Sequence, residues 1–77
     1  MELGDTYTYL YKGPYGFSIN PERMPCRIMG FTPKRVRINV LDRVNNYYFR
    51  ATVNKESLVT IHENELSDLH MFEQKHY

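Results

Sequence analysis

A single cysteine, no tryptophan and no long apolar run set the first limits on this 77-residue chain. With Cys26 alone, no disulfide forms within the chain, and a free thiol fits a reducing compartment. No stretch approaches the roughly 20 apolar residues that a membrane-spanning helix needs. Met1-Glu2-Leu3-Gly4-Asp5 carries neither the basic nor the apolar block of a targeting signal, so the expected location is cytoplasmic, with no membrane partner. Repeats and low-complexity tracts are missing. Gly13, Gly16 and Gly30 do not sit between a strand pattern and a helix pattern, which excludes a phosphate loop. His62, His70 and His76 lack the spacing of three or four that puts two ligands on one helix face, so no metal and no cofactor are expected. No carboxylate pair falls in a predicted cleft, and the chain is expected not to be an enzyme.

Excess charge of one sign is also missing, since the net charge is only +1. Its distribution is uneven. Residues 23–55 carry eight basic side chains against Asp42 alone, a local charge of +7, while residues 1–22 and 56–77 carry −2 and −4. Such a division marks a polyanion-binding middle or a middle neutralised by its own acidic ends.

What is present is alternation. Lys34-Arg35-Val36-Arg37-Ile38-Asn39-Val40 places Val36, Ile38 and Val40 on one side and Arg35, Arg37 and Asn39 on the other. A period of two over β-branched residues predicts a strand, over residues 34–40, with one dry face and one cationic face. Tyr7, Tyr9 and Tyr11 share one face of an earlier strand. Residues 12–25, with two glycines and three prolines, read as a long loop. Residues 26–31 form a second predicted strand with Cys26 and Ile28 inward and Arg27 and Met29 outward. Asp42-Arg43-Val44-Asn45-Asn46 is turn chemistry. Residues 47–53 form the next strand, with Phe49, Ala51 and Val53 inward and Tyr48, Arg50 and Thr52 outward. Residues 54–58 read as one helical turn, and Val59-Thr60-Ile61-His62 as a brief last strand. Leu66, Leu69 and Phe72, three apart, predict an amphipathic helix from residue 64 onward, capped by Asn64.

The order of strand, long loop, three-strand meander, helical turn and last strand resembles the SH3-like small β-barrel in its Tudor or KOW variants. Gly4-Asp5, Pro25-Cys26-Arg27-Ile28, Lys34-Arg35-Val36-Arg37-Ile38 and Val53-Asn54-Lys55-Glu56-Ser57-Leu58 carry the likeness. It implies a mostly all-β, five-stranded barrel over residues 4–62; the periodicity adds a short C-terminal helix or tail over 63–77, and the length of the chain allows one domain. A narrower likeness links Val59-Thr60-Ile61-His62 to the Val-Gln-Ile-Tyr strand of type II dihydrofolate reductases, without its glutamine and tyrosine. That likeness implies a reductase-like enzyme as a distant third reading.

Two functional readings lead. In the first, Arg27, Arg35, Arg37, Tyr48 and Arg50 project from adjacent strands with Lys34 at the rim. Arginine forks hold phosphates and a tyrosine stacks on a base, so the face would bind RNA or DNA. A solvated cationic face would carry the same residues. In the second, Tyr9, Tyr11, Tyr15 and Phe17 at the first strand and loop receive a protein partner or a second copy of the chain. Rings that only roof a small core would show the same pattern. Cys26 is expected to be buried and inert rather than nucleophilic.

Overall fold

The computed structural model describes residues 1–13 and 20–75, and the expected partner-binding residues Tyr15 and Phe17 lie outside them. Five antiparallel strands make one sheet: β1 (Thr6–Tyr11), β2 (Glu22–Phe31), β3 (Val36–Asp42), β4 (Tyr47–Val53) and β5 (Leu58–Val59). Their order is β4-β3-β2-β1-β5. A 3₁₀ turn (Lys55–Ser57) precedes β5, and helix α1 (Glu63–Lys75) ends the described chain. The mostly β expectation holds. The sheet is not closed, because β4 and β5 stand at its two ends with no ladder between them among the described residues.

Alternation fixes the two faces. Met24, Cys26, Ile28, Val36, Ile38, Val40 and Val53 are buried together on one face, and Tyr7, Tyr9, Tyr11, Phe49, Ala51 and Leu58 pack around them. Each fully buried branched side chain there contributes roughly 1.5–3 kcal/mol of transfer free energy. The register keeps this face in line. Cys26 faces Val40 and Ile28 faces Ile38 across β2 and β3, and Val36 faces Val53 across β3 and β4.

Several boundaries differ from the sequence expectation. β3 starts at Val36, not at residue 34. Lys34 and Arg35 instead belong to a turn in which the Thr32 amide donates to the Arg35 carbonyl at 2.9 Å and the Arg35 amide donates to Thr32 Oγ1 at 2.8 Å. β2 starts at Glu22, inside the predicted loop, and runs through Pro25. The β2–β3 ladder begins only at Cys26, so at Pro25 the strand has a flank where a missing amide costs no ladder bond. Between Ile28 and Gly30 the register shifts by a bulge. An extra residue at a bulge is re-aimed, and Met29 is 54% exposed there. β5 is two residues long, shorter than predicted.

The β3–β4 turn follows the expected chemistry. Asp42 accepts from the Val44 and Asn45 amides at 3.0 and 3.1 Å and from Asn45 Nδ2 at 3.0 Å. The Asn45 side-chain and backbone bonds hold the Asp42 carboxyl below its ordinary range, against the opposing effect of burial. Asn46 takes the left-handed conformation, φ 60°, that closes the turn.

Helix α1 lies on the other face of the sheet. Leu69 and Phe72 are buried against Leu41, with Tyr48 beside them. The helix starts one residue before the expected cap, so Asn64 sits inside it. Its start is organised by Glu65. Glu65 Oε1 accepts from the His62 amide at 2.9 Å, which is the returning half of a capping box. The same carboxylate accepts from Thr8 Oγ1 at 2.9 Å on β1, and from Arg23 Nε and Nη2 at 3.2 and 3.0 Å on β2. Glu65 is only 2% exposed. Burial alone would raise its pKa, but the bonds from Arg23, His62 and Thr8 win and hold it at about 2.

A folded-state pKa below the ordinary 4.5 means stability that is fully present above pH 4.5 and is lost as pH falls toward about 2. Thermal melts should therefore show the melting temperature falling across that window. Glu65→Gln should flatten that fall and cost about 2–3 kcal/mol at pH 7, because Arg23 is then left with an uncharged partner. An unchanged melting temperature in Glu65→Gln at pH 7 would count against this anchor.

Candidate nucleic-acid interface

The outward positions of β2, β3 and β4 form one surface, divided by α1. In register, Arg27 faces Asn39, Asn39 faces Arg50, Arg37 faces Thr52 and Leu41 faces Tyr48. The helix covers the Leu41–Tyr48 half. There Phe72 meets Tyr48 edge to face with ring centroids 4.7 Å apart. The Tyr48 ring thus packs under a helix and is not presented as an open stacking surface.

The acids of α1 take up one set of arginines. Arg27 donates from Nε and Nη2 to Glu73 at 2.9 and 2.8 Å, and from Nη1 to the Gly4 carbonyl at 2.6 Å. Arg43 donates from Nη1 to Asp68 at 3.0 Å and from Nη2 to the Arg23 carbonyl at 3.1 Å. Arg23 belongs to Glu65. Forked, partly buried pairs of this kind hold both partners in place.

A second set lies beyond the helix. Lys34, Arg35, Arg37 and Arg50 are exposed, and no ion pair engages any of them among the described residues. Arg37 and Arg50 occupy neighbouring strands one rung apart on the diagonal, which brings long side chains within reach of one ligand. They border a groove of about 460 Å³ whose walls include Met29 and Thr52. The Arg37 stem lies along Gly30, with its Cδ 3.6 Å from where a β-carbon on that glycine would be. Of the six residues expected in the interface, four are uncovered and two, Arg27 and Tyr48, are engaged by α1. Met29 and Thr52 were missing from that set. Both were legible as outward-facing, but only the bulge and the β3–β4 register bring them to Arg37 and Arg50.

The tyrosine constellation sits on the opposite face. Tyr9 and Tyr11 have ring centroids 6.2 Å apart and pack half-buried against the core. Burial, then Tyr11, pushes the Tyr9 phenol above its ordinary pKa. At the Tyr11 end a groove of about 420 Å³ is lined by Tyr11, Glu22, Met24, Tyr47 and Phe49, among others. Among the described residues no group of three or more His, Cys, Asp and Glu is placed to hold a metal ion. No described helix is long and apolar enough to cross a membrane. Neither a protein-family model, nor a curated protein, nor a solved structure matches the chain.

Cys26 lies in the core at 0% exposure. Burial pushes its thiol up to about 12, with a hydrogen bond from the Tyr7 backbone pulling the other way. A thiolate is the reactive form, so a disulfide-exchange reagent should leave native Cys26 unlabelled and modify it fully in denaturant. Rapid stoichiometric labelling of the folded protein would contradict this burial.

Proposed function

We propose that this chain is a non-enzymatic SH3-like module that binds nucleic acid through the half of its basic face left open by α1. The observation that carries the reading is the sorting of its cations. Arg23, Arg27 and Arg43 are paired with acids of α1, while Arg37 and Arg50 on the β3–β4 face, and Lys34 and Arg35 in the turn before β3, are exposed and without an ion pair among the described residues. Unneutralised arginines in a groove suit phosphate oxygens, which accept forked bonds and supply affinity with little sequence readout. The strand order and the 3₁₀ turn ahead of β5 support the SH3-like small barrel as its fold type.

Fluorescence anisotropy with short oligonucleotides tests the reading. With about four phosphate contacts the affinity should fall roughly 50-fold between 50 and 200 mM salt. Arg37→Glu with Arg50→Glu should abolish binding without loss of fold, since both side chains are exposed. Lys12→Glu, on the far end of the sheet past Tyr11, should leave binding unchanged. No binding at low salt would falsify the reading.

A second reading has its own observation. The groove at Tyr11, Tyr47 and Phe49, where Tyr47 is 49% exposed, suits a protein partner or a second copy of the chain. Light scattering across a concentration series should then show association that Tyr47→Ala weakens. A strict monomer removes self-association.

A further inference from the structure

On the reading that the Arg37–Arg50 face binds nucleic acid, we infer that its ligand is a single strand rather than a duplex. One nucleotide's phosphate sits between Arg37 and Arg50, and its base lies against Met29. Three observations converge on this. The first is the size of the open strip. It runs over the four β3–β4 rungs from Val36–Val53 to Asn39–Arg50, roughly 10 Å of strand. Beyond Asn39 the same face is occupied, because Arg27 is held by Glu73, and Leu41 and Tyr48 lie under Phe72 and Leu69.

The second observation is the wall that bounds the strip. α1 is about 10 Å thick with its side chains and stands directly on the neighbouring half of the face. Its Glu65, Asp68 and Glu73 are already paired with Arg23, Arg43 and Arg27, so it meets a ligand on this face as bulk. A duplex laid across Arg37 and Arg50 brings its second backbone against the bulk of that helix. A single strand can follow the strip without touching the wall.

The third observation is Met29. Outward by strand parity and beside the bulge between Ile28 and Gly30, it stands 54% exposed in the groove that also contains Arg37, Arg50 and Thr52. An apolar side chain beside two guanidinium groups gives nothing to a phosphate. A polarisable thioether does favour an aromatic ring at close range. Bases are available for such contact only when unstacked, as in single strands, while a duplex hides their faces. The groove, about 460 Å³, is of the size that takes one small ligand unit. Thr52 adds a hydroxyl that can donate to a phosphate oxygen.

The test compares a fluorescent 12-nucleotide single strand with its blunt duplex at 50 mM salt, for the wild type and for Met29→Ala, Met71→Ala and Arg37→Glu. Met71, on α1 and 56% exposed, controls for loss of a surface methionine elsewhere. The single strand should bind at least about tenfold more tightly than the duplex. Met29→Ala should weaken single-strand binding about fivefold and leave duplex binding unchanged, while Met71→Ala changes neither. A 2-aminopurine strand should report the contact by a fluorescence change that Met29→Ala removes. Equal or tighter duplex binding that Arg37→Glu abolishes would overturn the single-strand inference and leave the nucleic-acid reading standing. So would single-strand binding unaffected by Met29→Ala. No binding of either probe would overturn both.

Discussion

Glu65 is the constraint on which the arrangement depends. Its carboxylate is buried, and a buried charge is tolerated only when its lone pairs are filled. Here the donors come from three separate places: Thr8 on β1, Arg23 on β2, and the His62 amide at the start of α1. One anion therefore ties the helix start to two adjacent strands. It sets where the helix begins and over which strands it then runs. Leu69, one turn on at the same face, reaches Leu41, and Phe72 reaches Tyr48. Glu73, a further turn on, meets Arg27. The helix is short, and an isolated helix of this length is marginal in water, so these tertiary bonds are what keep it formed.

The anchor also decides what the basic middle of the chain can do. A helix docked elsewhere would leave Arg27 and Tyr48 open, or would cover Arg37 and Arg50. As docked, it divides seven cations into two groups with different work. Arg23, Arg27 and Arg43 hold the fold by bonding to Glu65, Glu73 and Asp68. Lys34, Arg35, Arg37 and Arg50 stay exposed, with no ion pair among the described residues. The acids of α1 thus neutralise part of the basic middle, as one interpretation of the uneven charge expects, and leave the rest of it exposed.

Much of this was legible in the sequence where the information is local. The alternation of Val36, Ile38 and Val40 gave the dry face, and the same parity put Cys26, Ile28, Phe49, Ala51 and Val53 on it. Asp42 through Asn46 read correctly as a turn because the side-chain and backbone bonds involved span three residues or fewer on the Asp42 carboxylate. Nonlocal features were not legible. Glu65 read as an acid near a helix start, because its partners Thr8 and Arg23 lie 57 and 42 residues away. Pro25 read as a strand breaker, because only the ladder offset reveals its free flank. Lys34 and Arg35 read as strand residues, because the Thr32 bonds that turn the chain there compete with alternation and win. The bulge beside Met29 leaves no clear mark either, since Gly30 alone is compatible with many backbone roles.

The division of the face also separates arginines tied into the fold from arginines left exposed. Arg27 and Arg37 are both outward arginines on adjacent strands, and composition cannot distinguish them. Their surroundings do. Arg27 sits between Glu73 and the Gly4 carbonyl, so its donors are spent and its removal would strand a half-buried carboxylate. Arg37 lies over a glycine and is exposed, with no ion pair among the described residues, so its removal strands no carboxylate there. Within β3 the exposed arginine is Arg37, and across the β3–β4 ladder its exposed arginine neighbour is Arg50, while Arg27 on the β2 side is tied to Glu73.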